Sequence, residues 1–191
     1  MPETTTQAAD FTAAQINALF APPVAVPTSE QVFAHCAERY LALNLGAQAD
    51  VDRLHDVLPP TGIPFPVFRK FRREEFGELM ALVVVNDKRG QNYLDIAYLT
   101  DEPWVPDGPH ILTDVRDGRD RLNTKPSVSR ANIAAEGRKG NTALHIIHWG
   151  LYYGDAILTH HYLDGVASAY GSGVVPSLFL SGDGPGLFAY W

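Results

Sequence analysis

Apolar positions recur first at helical spacing and later at strand spacing. Behind a cap at Asp10 or Thr12, Phe11, Ile16, Leu19 and Phe20 share one side of a short helix ending at Phe20. Pro22, Pro23 and Pro27 then exclude helix and predict an extended connector. Thr28 and Gln31 have capping-box spacing. Val32, Phe33, Cys36, Tyr40, Leu41 and Leu43 continue as the stripe of a second helix ending between Asn44 and Gly46. A third short helix is predicted from Asp50 to Leu58, before Pro59 and Pro60.

From Thr61 the pattern changes. Pro64 and Pro66 confine the apolar run Ile63 to Phe68 to an edge strand. The charged stretch Arg69 to Glu78 predicts a surface helix. Leu82 to Val85 predicts a buried strand that pairs, across the turn Asn86 to Gly90, with Tyr93 to Leu99. His110 to Val115 forms another strand after a proline-bracketed loop. Ser127 caps a helix that Gly137 stops, and Asn141 or Thr142 caps a longer one to Tyr153, with Gly154 as its stop. Strands over Tyr162 to Tyr170, Val174 to Ser181 and Leu187 to Trp191 follow, the last two joined by the loop Gly182 to Gly186. The layout is a single α+β domain over 1–191: a helical region, 1–60, packs on the mostly antiparallel sheet of 61–191, which carries one or two inserted helices and a C-terminal β-hairpin.

Length and composition narrow the function classes. The chain has 191 residues, enough for one ordinary domain, and its net charge of −7 argues against a nucleic-acid partner. No apolar run is long enough to cross a membrane, and the start lacks the features of a secretory signal. The single cysteine, Cys36, excludes an internal disulfide and predicts a reducing, cytoplasmic setting.

Several short motifs stand in a particular order: Pro109-His110-Ile111-Leu112-Thr113-Asp114-Val115-Arg116-Asp117-Gly118, Leu122-Asn123-Thr124-Lys125-Pro126, Glu136-Gly137-Arg138, and the segment Tyr170 to Leu180. From about residue 64 onward this order resembles a bacterial family, domain of unknown function fifty-seven-oh-one. The resemblance implies a fold relationship and supplies neither an activity nor a cofactor.

Candidate chemistry concentrates in one segment. Four of the seven histidines, His145, His148, His160 and His161, fall between 145 and 161. His145 and His148, three apart on a helix, share a face, and Asp155, His160 or His161 can complete a tetrahedral metal shell with them. The spacing matches no metalloprotease pattern, so the favoured interpretation is metal-free and cofactor-free acid–base chemistry, for which imidazole suits neutral pH. Its catalytic candidates are His145, His148, Tyr152, Asp155 and His160, with Tyr162 and Asp164 as neighbouring phenol and carboxylate. Asp114, Arg116, Trp149 and His161 are the substrate-binding candidates; arginines beside a strand end can clamp an oxyanion. In this scheme His145 or His148 presents a ring nitrogen to a cavity.

Two function classes follow. One is a small enzyme performing cyclisation, elimination, isomerisation or hydrolysis on a small polar substrate. The other is an acidic binding, regulatory or immunity-type protein, which the −7 charge and the aromatics Trp104, Tyr190 and Trp191 would suit. The four histidines favour the enzyme. The edge of the closing hairpin offers a surface for a homodimer.

Overall fold

The computed structural model describes residues 27–116, 124–159, 162–171 and 174–190. The helix expected over Asp10 to Phe20, the two histidines His160 and His161, and Trp191 lie outside the described residues. The first described helix, α1 (Ser29–Ala42), opens on the expected capping box: the Thr28 hydroxyl accepts the Gln31 N–H at 3.2 Å, and the Gln31 side chain accepts the Thr28 N–H at 2.9 Å. Val32, Phe33, Cys36 and Tyr40 are its buried stripe. Helix α2 (Gln48–His55) begins two residues before Asp50, because the Asp50 carboxylate accepts the Ala47 N–H and so belongs inside the first turn.

Strand β1 (Pro64–Val67) is buried at all four positions and pairs antiparallel with β6 (His110–Thr113), Pro64 opposite Thr113 and Val67 opposite His110. Beyond its end, Asp114 donates its N–H to the Ile63 carbonyl at 2.9 Å and accepts the Ile63 N–H on its carboxylate at 3.2 Å.

The region between these strands departs from the expected hairpin. Leu82 ends a helix, α3 (Phe76–Leu82), and only Val84–Val85 forms β2. Asn86 and Asp87, at φ 50° and 62°, make a two-residue turn that returns the chain at once into β3 (Lys88–Arg89). Tyr93 to Leu99 is therefore not its partner. Instead β4 (Gln91–Asn92) runs parallel to the last strand, Ile96 to Tyr98 is a 3-10 turn, and β5 (Leu99–Asp101) pairs with β8 (Ser168–Tyr170).

Helix α4 (Pro126–Ala135) places Pro126 at its first position, so Lys125 rather than Ser127 is the cap. Its end is as expected: Gly137, at φ +67°, donates to Ala134 O and Arg138 donates to Ile133 O, a Schellman motif. Helix α5 (Ala143–Leu158) starts at the Thr142 cap but continues past Gly154. Tyr153 (φ −135°, ψ 19°) breaks the helical run without ending it. The Leu151 carbonyl accepts both Nε and Nη2 of Arg39 at 3.2 Å, and the Tyr152 carbonyl accepts the His35 Nε2–H at 3.0 Å. Side chains of α1 thus satisfy the carbonyls that the break releases.

The closing strands β9 (Val175–Ser181) and β10 (Gly184–Tyr190) form a long hairpin across a two-residue loop, shorter than expected because Gly184, Pro185 and Gly186 join the ladder. With β7 (Leu163–Asp164) they make the sheet order β4-β10-β9-β7. Its two edge strands are only two residues long. The fold is mixed α+β with mostly antiparallel sheets and a C-terminal hairpin. Helix α5 lies at its centre, against α1, α3, β2 and β9, and one apolar cluster joins the helices before residue 60 to the later strands. The main partners of α1 are β1 and α5 rather than the four-stranded sheet. Among the described residues no helix is long and apolar enough to cross a membrane.

Between α4 and α5, Gly140 permits a close approach: a Cβ there would lie 2.4 Å from Val166 Cγ2 and 3.0 Å from the Ala167 nitrogen. Val166 is stiff about χ1 and the second contact is backbone, so neither can yield cheaply. Gly140→Ala is expected to lower stability by about 1–3 kcal/mol, the usual cost of overpacking. Urea denaturation at neutral pH measures it; an unchanged midpoint would show that this segment moves freely.

Candidate functional site

The histidines of α5 point into the core. His145 and His148 are both fully buried, and each ring is held by specific partners. The Thr142 N–H donates to His145 Nδ1 at 3.1 Å, so that nitrogen carries no proton and Nε2 does. His145 Nε2–H in turn donates to His110 Nε2 at 3.2 Å, and His110 Nδ1–H donates to the Gly108 carbonyl at 2.7 Å. Both tautomers follow from the two fixed ends, a donor at Thr142 and an acceptor at Gly108. Adding a proton to either ring would oppose two N–H groups across one contact. Burial pushes His145 down to about 3, helped by the neighbouring His110 and His148, and lowers His110 as well.

His148 donates Nδ1–H to the Leu144 carbonyl at 2.9 Å, while its Nε2, buried beside the rings of Phe71 and Tyr152, has no hydrogen-bond partner among the described residues. Burial pushes this imidazole down to about 4. Tyr152 is also in the core, donating its hydroxyl to the Pro66 carbonyl at 3.0 Å. Trp149 packs on Phe65 and Tyr153. Asp155 is exposed at the far part of α5, where it accepts the Asn86 N–H at 3.3 Å. Cys36 is buried 3.3 Å from the Tyr153 hydroxyl, and burial pushes its thiol up to about 12, the state of an inert thiol. Among the described residues no group of three or more His, Cys, Asp or Glu is placed to hold a metal ion. The Nδ1 lone pair of His145 already accepts the Thr142 N–H.

A cavity of about 440 Å³ lies elsewhere, between the end of β6, the turn joining α4 to α5, and β7. Of the sequence candidates, Asp114 and Arg116 line it; His145, His148, Tyr152, Trp149 and Asp155 do not. Asp114 stands there in a left-handed conformation, φ 53°, with one carboxylate oxygen accepting the Ile63 N–H. Its first task is to fix the strand end. The cavity gathers Arg138, Lys139, Asn141, Tyr162 and Asp164 as further polar lining. Asp164 is half-buried, accepts a hydrogen bond from the buried Ser177 hydroxyl, and has its carboxyl raised by burial. Trp104 forms an apolar wall and packs against His145, ring centroids 6.2 Å apart. The histidine pair thus supports the wall from behind.

The neutral histidines make stability acid-sensitive. Unfolded imidazole titrates near 6.5 (about that value in model peptides), whereas His145 and His148 resist protonation in the fold down to about 3 and about 4. Below pH 6.5 the unfolded chain therefore binds more protons, and stability falls with pH until the folded values are reached. The expected slope between pH 6 and pH 4.5 is roughly 1.4 kcal/mol per pH unit for each histidine. Urea midpoints across this range test it, with the double variant His145→Gln, His148→Phe giving a flatter profile; equal slopes would show that both rings titrate normally. No family model, no curated protein and no solved structure matches this chain, so the chemistry of the cavity has to be taken from its own residues.

Proposed function

We propose that the protein is a small enzyme that transfers a proton, without a metal, on a small polar molecule held in the 440 Å³ cavity, with Asp164 as the acid–base group. The observation that carries this reading is the carboxyl itself. It is half-buried at a concave, partly apolar site, oriented through one oxygen by Ser177, and its affinity for a proton is raised by desolvation. Such a group serves cyclisation, elimination, isomerisation or hydrolysis equally well. Tyr162, also in the lining, adds a phenol to the same site.

The proposal includes kinship with the domain of unknown function fifty-seven-oh-one family. The strand-end residues Ile111 to Arg116 and the turn residue Arg138, which belong to the motifs carrying that resemblance, line the cavity. A cytoplasmic setting is part of the same proposal, supported by a lone, buried cysteine. One observation favours the alternative, a binding protein without catalysis: His145, His148 and Tyr152 sit in the core and not against the cavity.

Asp164→Asn separates the two. A thermal-shift screen of small polar compounds first finds ligands, and an NMR time course then follows each. At least one ligand is expected to be converted, with the variant slowing conversion by about 10²–10⁴-fold while still binding. A ligand converted equally well by both proteins would remove Asp164 from the chemistry. Ligands that bind and are never converted would establish the binding protein instead.

A further inference from the structure

The turn between α4 and α5 brings two cations to the cavity, Arg138 and Lys139. Arg138 donates one N–H to the Asp114 carbonyl at 2.7 Å, and Lys139 holds its ammonium 5.0 Å above the Trp104 ring. Among the described residues neither forms an ion pair, whereas Arg69, Arg73, Arg116 and Arg130 each face a carboxylate. In a chain of net charge −7 that is a local reversal of sign. The charged side chains lining the cavity are Arg116, Arg138 and Lys139 against Asp114 and Asp164. Both carboxylates already have hydrogen-bond donors of their own, Ile63 N–H and the Ser177 hydroxyl.

The backbone fixes this arrangement. The Schellman turn at Gly137 ends α4 at one exact register, with Arg138 bonded to Ile133 O, and Gly140 lies against Val166. Arg138 and Lys139 thus stand together between two anchored residues. Guanidinium offers a planar fork of N–H donors and ammonium a compact charge, the two complementary ways of holding an oxyanion. Beside them Trp104 and Ile133 supply apolar surface. The size of the cavity is that of sites for small organic molecules (typically about 300–1,000 Å³).

We infer that this wall is an anion subsite: the cavity takes a small organic acid, a carboxylate or a phosphate ester, with its oxyanion on Arg138 and Lys139 and its carbon body against Trp104 and Ile133. The inference rests on the reading that this cavity holds the protein's small-molecule ligand, and it is independent of any role for Asp164 in catalysis.

The test uses the full chain at low ionic strength with three probes: succinate, inorganic phosphate and the uncharged succinamide. Amide and indole NMR resonances of Trp104, Gly140 and Asn141 are followed during titration. Saturable shifts are expected with succinate or phosphate and not with succinamide, and the tighter of the two names the ligand class. Arg138→Gln with Lys139→Met should weaken binding at least tenfold. Arg89→Gln, which removes an exposed cation outside the cavity lining, should change it less than twofold. If the double variant unfolds, Lys139→Met alone, at an exposed position, should still weaken binding about threefold. Absence of saturation by either anion, equal binding of succinamide, or equal weakening by Arg89→Gln would overturn the inference. An uncharged compound converted in an Asp164-dependent way, with no anion bound, would overturn the subsite and leave proton transfer standing. Anion binding at this wall with no compound converted would do the opposite.

Discussion

A helix enclosed on nearly every side must find partners for its polar groups inside the protein, because water cannot reach them. Helix α5 carries that constraint and the structure is organised around it. At its first turn, Ser168 Oγ accepts the Ala143 N–H at 2.8 Å, and the Thr142 hydroxyl and His145 ring close the cap reciprocally. At the Tyr153 break, Arg39 and His35 reach from α1 to the Leu151 and Tyr152 carbonyls. Arginine near a run of unpaired helix carbonyls is also favoured by the helix dipole. The helix is thereby tied to β8 at one end and to α1 near its break, so packing and hydrogen bonding select the same arrangement.

The cavity is a consequence of how the loops around α5 close. His145 holds His110, at the head of β6, through one imidazole contact, and Trp104 packs on the same ring. The other end of β6 is held by the reciprocal bonds between Asp114 and Ile63. A strand fixed at both ends gives the cavity one rigid side. The turn from Gly137 to Asn141 gives it another, with the Asn141 carbonyl accepting the Ala167 N–H and its side chain donating to the Arg116 carbonyl at 3.2 Å. Histidines that would have been natural proton carriers in water are neutral struts here. The charged residues that line the cavity are instead Asp114, Arg116, Arg138, Lys139 and Asp164.

Much of the local structure was legible in the chain. The Thr28 and Gln31 box, the proline-marked edge strand, the Gly137 stop and the closing hairpin are each decided by sterics or hydrogen bonds within a few residues. The α+β class followed from the change of apolar spacing at Thr61. Within the candidate site, Asp114 and Arg116 could be singled out because charged residues end an apolar strand there. Asp164 was visible only as a neighbour of the histidines, and Trp104 only as one of the aromatics suited to a binding surface. Arg138 stood in the Glu136-Gly137-Arg138 motif, and for Lys139 the one available signal was the Gly137 turn that precedes it.

The remainder was decided by contacts between distant segments. His145 and His110 are 35 positions apart, and no local spacing announces their bond. Gly154 does not stop α5, since carbonyl partners for its break come from α1, more than a hundred residues earlier. Tyr93 to Leu99 loses its expected partner to the two-residue turn at Asn86 and Asp87, and Gln91–Asn92 finds a parallel one in β10. Sequence alone determined the Thr28 and Thr142 caps and the Gly137 stop, because capping, chirality and side-chain period act over one or two turns of chain. Whether a histidine titrates or is a strut depends on the dielectric and the partners around it, and those exist only once remote segments have folded together.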